Sequence, residues 1–504
     1  MSGRDTPWTS DPVTPPDGVA WDLVVLGGGT AGIVAAKTAA GFGASVLMVE
    51  TRRPGGDCLW TGCVPSKTLI ASAHAAQSAR DAPRYGVVTA GVQVDFAAVM
   101  ARVRSVIGTI EPVDSPETLR ESGAKLARGT AQFAGPRSVA LSTGETIGFR
   151  HALIATGAGP LLPGIPGLDA VAALTSDDVW ELSELPRRLL VLGGGSIGCE
   201  LAQAFARLGS QVTLVEAAPE LMPREDPMAG RLLRAALCAD GVAIHLGTSV
   251  TAAARNQEGI EVTTSTGEVL RADQLLVAVG RRPHTESLGV EEAGVALTEP
   301  GHVVVDARLR TTNPRIWAAG DVTGHPQFTH VAGVHGSLAA SNAILGVRRR
   351  VDLSTVPRVT YTHPEVAAFG VPADSDQPGL RVVDLAHTEV DRAVTDGDTH
   401  GLTRLVLDRR RRVVGATVVS PRAGELLGEL LVAARGRLRA GDLAGTMHAY
   451  PGYGDAVWKP AIATVREQLQ QPGASWVTRK LAGWQRLRHR GGARGSGRGG
   501  APRG

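Results

Sequence analysis

Cys58 and Cys63 stand five residues apart in the run Gly55-Gly56-Asp57-Cys58-Leu59-Trp60-Thr61-Gly62-Cys63-Val64-Pro65-Ser66-Lys67. Two sulfur donors at this spacing are candidate metal ligands. No second pair completes a tetrahedral site, however, so no metal centre is assigned. The chain has only four cysteines, and the other two, Cys199 and Cys238, fall on apolar helical faces and read as inert core residues.

The second chemical signal is a glycine loop written twice. Gly27-x-Gly29-x-x-Gly32 is followed by Glu50, and Gly193-x-Gly195-x-x-Gly198 by Glu216, in each case 18 residues after the last glycine. The first glycine permits a tight turn, the second lets a pyrophosphate approach the backbone, and the third lets a helix pack on a strand. The acid then lies where it can bond ribose hydroxyls. Two dinucleotide sites in one chain point to hydride passing between two cofactors. A carboxylate at Glu216 bonds a 2′-hydroxyl and repels a 2′-phosphate, which favours NADH; Arg224 nearby leaves NADPH possible.

Elements that can hold these residues are legible around them. Residues 21–50 read as buried strand, glycine loop, alanine-rich helix and second strand, and residues 187–216 repeat the pattern. The apolar runs 151–157 and 273–280 bracket the second unit, and a further strand at 315–321 closes the first. The expected domains are an FAD-binding domain (21–157 and 280–350), an inserted NAD(P)-binding domain (158–279) and an interface domain (351–475). In the last, alternating strands precede a helical stretch beginning at Ala423. The fold class is α/β, with two Rossmann-like domains and a C-terminal α+β domain.

Both ends read differently. Residues 1–20 are rich in proline and aspartate without an apolar core, so they read as a disordered arm and not as a signal peptide. Residues 476–504 read as a basic helix followed by a Gly/Arg-rich tail. The formal charge of +3 rests on that tail: six arginines lie in residues 485–504 with no acid, leaving −3 on the rest. The body therefore gives no reason to expect nucleic-acid binding. Val477, Leu481, Trp484 and Leu487 at helical spacing predict a helix docked on the protein surface, with a membrane-surface anchor as the sharper alternative. No apolar run is long enough to span a bilayer, and the cysteine usage suits a reducing cytoplasm.

At the cysteine run the chain resembles the pyridine nucleotide–disulfide oxidoreductases, the family of dihydrolipoamide dehydrogenase, glutathione reductase and mercuric reductase. The resemblance extends over roughly residues 20–470. Thr156-Gly157 and Gly280-Arg281-Arg282-Pro283 match its domain crossings, Trp317-Ala318-Ala319-Gly320-Asp321 its second FAD motif, and Thr362-x-Pro364-Glu365 its dimerisation domain. It implies a homodimer with a shared active site. FAD is expected at Gly27, Gly29, Gly32, Glu50, Gly56, Thr156, Gly157, Gly280 and Asp321, and the nicotinamide cofactor at Gly193, Gly195, Gly198 and Glu216. It further implies a Lys67–Glu200 ion pair beside the flavin and a redox-active Cys58–Cys63 disulfide. Cys63 is then the thiolate nearest the flavin and Cys58 the thiol that attacks substrate. Lys67 helps to populate the thiolate.

One segment departs from the disulfide-reducing pattern. Those members carry a histidine before a proline near the C-terminus, supported by a glutamate five residues on. Here the run is His448-Ala449-Tyr450-Pro451-Gly452-Tyr453-Gly454-Asp455, with Tyr450 in the histidine position and Asp455 in the glutamate position. A phenol cannot readily accept a thiol proton near neutrality, whereas imidazole can. His448 could substitute only with a shift of register. The pattern resembles mercuric reductase-like flavoproteins, although neither an N-terminal metal-carrier domain nor vicinal C-terminal cysteines accompany it. The acceptor expected is a metal ion or a small oxidant such as a quinone. Low-molecular-weight disulfide reduction is the alternative, and a non-enzymatic nucleotide-binding protein is the reading of another class.

Overall fold

The computed structural model describes residues 8–492, so the Gly/Arg-rich stretch 493–504 and residues 1–7 lie outside it. The chain forms two compact units. One runs to residue 356 and includes 360–363; the other comprises 357–359 and the residues after 363.

The first unit is built on parallel strands. Lys125–Arg128, Val46–Glu50, Trp21–Leu26, Thr146–Ile154 and Ile316–Ala318 pair in that order, all in parallel. The long Thr146–Ile154 strand then continues into an antiparallel extension with Ser138–Leu141 and Ala131–Gly135. Trp21–Leu26 has five of its six residues buried, as expected of a strand covered on both faces. One face packs on helices Thr30–Gly41 and Thr329–Leu345 through Leu23, Val25, Ile33 and Leu338; the other packs around Phe133, Phe149, Val139 and Ile147. The two helices pack so closely that a Cβ on Gly336 would meet the Ala31 carbonyl oxygen at 2.2 Å.

A second parallel sheet orders Ala243–His245, Gln211–Val215, Arg188–Leu192 and Gln274–Val277. A three-stranded antiparallel sheet, Val250–Asn256 to Val269–Ala272, lies beside it over one shared apolar core. The chain segments entering and leaving this region, Ala158–Pro160 and Arg281–Pro283, pair antiparallel.

The other unit carries a five-stranded sheet ordered Arg358–Thr360, Glu365–Gly370, Val413–Ser420, Leu402–Leu407 and Arg381–Ala386. Helices Ala423–Arg435 and Asp455–Gln470 cover it through Leu427, Leu430, Val457 and Ala461. The overall class is the α/β fold expected, with an α+β C-terminal region.

Two expectations fail. Residues 8–20, expected to be disordered, are fixed to the first unit. Trp8 donates to the Arg52 carbonyl, Asp11 pairs with Arg120 and accepts from the Leu126 amide, and Asp17 pairs with Arg150. Low hydrophobicity misled because hydrogen bonds and ion pairs at the surface, with Trp8 and Val13 packed against the cores of the first unit, hold the segment. Cys238, expected in a core, is exposed on helix Pro227–Ala239, whereas Cys199 is fully buried.

Candidate active site

The two glycine loops fold almost identically. Gly27 and Gly193 have φ of +105° and +111°, and a Cβ on either would meet a carbonyl oxygen, of Ala155 or Ala278, at 2.5 Å. A Cβ on Gly32 or Gly198 would meet the oxygen of Gly27 or Gly193 at 1.9 Å. Gly29 and Gly195 cap the helices Thr30–Gly41 and Ser196–Leu208 without any side-chain hydrogen bond, so the first helical amides face the loop unspent. Gly56 approaches Gly29, with the Gly29 Cα 2.6 Å from where a Gly56 Cβ would stand.

The acids hold these loops. Glu50 accepts from the Gly28 amide at 2.6 Å and the Arg52 amide at 2.8 Å; Glu216 accepts from Gly194 at 2.6 Å and Ala218 at 2.7 Å. Burial lifts the Glu50 pKa, against those amide bonds. Beside the first loop, Arg281 bonds Asp57 and the Ala158 carbonyl and reaches within 3.6 Å of Asp321. Burial raises the Asp321 pKa, opposed by Arg281. Thr156 donates to the His284 carbonyl, Gly157 accepts from the His284 amide, and Gly280 accepts from the Leu161 amide. A loop stripped of Cβ atoms, free helical amides and a buried acid fit the pyrophosphate and polyol of FAD, and the second loop fits a second dinucleotide.

Cys58 sits in the short helix Gly56–Trp60, and Cys63 opens the 19-residue helix Cys63–Asp81, both as free thiols. Pro65 is tolerated there because first-turn amides have no helical partner. The sulfurs are hydrogen-bonded, and the pair splits in acidity. The Cys58 hydrogen bond draws the Cys63 pKa down against burial, helped by Thr329, whose hydroxyl is 3.4 Å from Cys63 Sγ, and by the Lys67 charge. The same hydrogen bond, with burial, pushes Cys58 up. A helix N-terminus adds in the same sense to the Cys63 thiolate.

Lys67 Nζ lies 2.9 Å from Glu200 Oε2, and the other Glu200 oxygen accepts from the Tyr361 amide at 2.8 Å. The lysine ammonium is 4.6 Å from the centre of the Tyr361 ring. Burial disfavours the ammonium, but Glu200 outweighs it and raises the Lys67 pKa. The first unit thus brings together Cys58, Cys63, Lys67 and Glu200. Thr329, Tyr361 and Arg281 complete the group. Sequence reasoning gave Thr329 no role, since its position follows only from the packing of helix Thr329–Leu345. The bond from the Tyr361 amide to Glu200 is a backbone bond with no residue-type signal.

In the other unit, Tyr450 is 73% exposed and precedes Pro451 through a cis bond. Its hydroxyl donates to Asp391 at 2.9 Å, and that bond raises its pKa. Asp455 does not receive the tyrosine hydroxyl. It is buried at the start of helix Asp455–Gln470, with Lys459 at 3.7 Å, and Lys459 also pairs with Asp391 at 3.1 Å. His448 bonds Glu429 at 3.0 Å, a partner 19 residues upstream that the sequence reading missed. Tyr453 donates to Asp396. Among the described residues no cluster of three or more His, Cys, Asp or Glu side chains could hold a metal ion.

Comparison with known proteins agrees with this geometry. The family described as pyridine nucleotide-disulphide oxidoreductase matches residues 21–336, and its dimerisation domain matches residues 356–461. A mercuric reductase of Streptomyces lividans is 41% identical over 443 residues, covering 85% of this chain and 93% of that protein. A dihydrolipoyl dehydrogenase of Chlamydia muridarum is 34% identical, covering 90% and 98%. Among solved structures, the HOCl-induced flavoprotein disulfide reductase RclA of Escherichia coli superposes with a TM-score of 0.78 at 30% identity, covering 87% of this chain and 98% of that one. With fold, paired loops and cysteines in agreement, the chain belongs to the pyridine nucleotide-disulphide oxidoreductases and is an FAD-dependent enzyme of that family.

Proposed function

We propose that this enzyme uses NADH, through FAD and the Cys58–Cys63 pair, to reduce a thiophilic metal ion or a small oxidant such as a quinone, in preference to a low-molecular-weight disulfide. Gly27, Gly29, Gly32, Glu50 and Asp321 would hold FAD, which would supply hydride acceptance from the nicotinamide and two-electron delivery to the cysteines. The chain's own residues divide the remaining work. Glu216 selects the ribose of NADH, Lys67 and Thr329 hold Cys63 as thiolate, and Cys58 stays protonated until substrate arrives. A metal ion bound by both sulfurs displaces that proton without a base. A disulfide needs a base to move it.

The observation that carries the choice is Tyr450, whose hydroxyl is committed to Asp391 and whose acidity is weakened by it. Such a phenol stays protonated at neutral pH and offers no general base. The likeness to mercuric reductases, and to RclA, which has been solved as a Cu(II) complex, supports a metal acceptor. The dimerisation domain supports a homodimer. One observation favours disulfide chemistry instead: His448 and Glu429 form an imidazole–carboxylate pair two residues from the expected place. The variants Tyr450→His and His448→Ala separate the readings. Under the proposal, the first raises dihydrolipoamide turnover and the second leaves wild-type metal turnover unchanged. Loss of a brisk wild-type dihydrolipoamide activity in His448→Ala would favour the second reading.

A further inference from the structure

Helix Pro472–Gly492 begins beyond a break at Gln471, which is extended. The preceding helix, Asp455–Gln470, buries Val457, Ala461 and Thr464 in its unit. Among its described side chains the terminal helix buries no comparable stripe. Trp476, Val477, Leu481, Trp484 and Leu487 are between 46% and 67% exposed. At 100° per residue these five fall within an arc of about 140°. The surface docking expected from their spacing is therefore absent.

From residue 472 to the end the chain holds eight lysines and arginines and no aspartate or glutamate. Two of these cations lie on the aromatic face: Lys480 Nζ is 5.6 Å from the Trp476 ring and the Arg488 guanidinium 4.7 Å from the Trp484 ring. Long basic side chains running along an apolar surface can keep their charges at its edge. No helix among the described residues is long and apolar enough to cross a membrane.

We propose that helix Pro472–Gly492 docks on an anionic lipid bilayer, lying in the plane of the interface. Trp476, Leu481, Trp484 and Leu487 enter the headgroup–acyl boundary, and Arg479, Lys480, Arg486 and Arg488 meet the lipid phosphates. The chemistry matches such a surface: tryptophan and leucine share one face, Lys480 and Arg488 run along it over the tryptophan rings, Arg479 and Arg486 flank it, and net hydrophobicity is low. A second copy of the same helix fits less well, because two acid-free segments repel. A nucleic acid would pair the cations but leave Leu481, Leu487 and Val477 in water. The proposal is independent of the acceptor.

The test is co-sedimentation of the full-length, FAD-loaded protein with vesicles of phosphatidylcholine alone or with about 30% phosphatidylglycerol. Binding to the anionic vesicles should be at least about tenfold tighter, weaken with salt, and shift tryptophan emission to shorter wavelength. Trp476→Ser/Trp484→Ser/Leu487→Ser and Arg479→Glu/Lys480→Glu/Arg486→Glu should each lose that binding while retaining flavin and its reduction by NADH. Equal affinity for both vesicle types, or unchanged binding by either variant, would overturn the proposal. So would displacement of the protein from vesicles by single-stranded RNA at equal phosphate. A fall in oligomeric mass of either variant with vesicle binding intact would assign the face to a second copy instead.

Discussion

Lys67 and Glu200 meet at 2.9 Å, joining helix Cys63–Asp81, which begins at Cys63, to helix Ser196–Leu208, which begins at the second glycine loop. The carboxylate is buried and the lysine about one-third exposed. The pair therefore ties the thiol site to the nucleotide loop mechanically and places a positive charge near Cys63. Removing only the lysine leaves a buried anion with the Tyr361 amide as its remaining bond. Lys67→Met is expected to cost on the order of 1–2 kcal/mol in urea unfolding of the apoprotein, less than for a fully buried pair because solvent reaches the lysine. Glu200→Gln should cost less, since it keeps the amide bond. Equal and negligible losses would show that the pair is merely superficial.

Cys63 should alkylate as a thiolate at unusually low pH. Its pKa is drawn down to about 6, first by the Cys58 hydrogen bond, so the thiolate is populated above that pH and lost below it. The NADH-reduced enzyme should react with iodoacetamide at Cys63 at a rate that rises through pH about 6, while Cys58 stays protected as a thiol. Cys58→Ser and Lys67→Met should each move the Cys63 profile to higher pH. A wild-type profile centred near the ordinary thiol value, ~8.5, would contradict the assignment.

The duplicated loops allow the two cofactor sites to be broken one at a time. Gly32→Ala places a Cβ 1.9 Å from the Gly27 oxygen, and Gly198→Ala does the same at Gly193. The first variant should purify with little flavin. The second should purify yellow yet be reduced by dithionite and not by NADH. A Gly198→Ala protein reduced by NADH at the wild-type rate would place the nicotinamide elsewhere.

Both Glu216 oxygens already hold loop amides, and the carboxylate still repels a 2′-phosphate. Glu216→Gln should reduce the NADH:NADPH ratio of kcat/KM by about tenfold or more, chiefly by improving NADPH. A ratio unmoved by the substitution would show that the preference is set by another residue.

These residues differ in how far the sequence exposed them. The loops Gly27–Gly32 and Gly193–Gly198 were legible because backbone approach demands glycine at fixed spacing, and Glu50 and Glu216 follow from the length of one βαβ turn. Lys67 and Glu200, 133 residues apart, were paired only through the family resemblance. Thr329 and Glu429 were missed because their contacts arise from packing and leave no periodic trace. Asp391 was missed likewise, and Asp455 was credited with orienting position 450 when Lys459 is its neighbour. The order of residues 8–20 was hidden because isolated ion pairs such as Asp11–Arg120 carry no local pattern.

Under the proposed function, residue 450 offers no base for disulfide chemistry while Cys58 and Cys63 form a competent dithiol. The most direct test is the kcat/KM of the wild-type enzyme, at saturating NADH and neutral pH, for Hg(II) or a quinone against lipoamide and glutathione disulfides. Brisk turnover of a metal or quinone is expected, with disulfide reduction slower by on the order of 10²-fold or more than base-assisted catalysis provides. Rapid turnover of either disulfide, with metal and quinone inert, would contradict it.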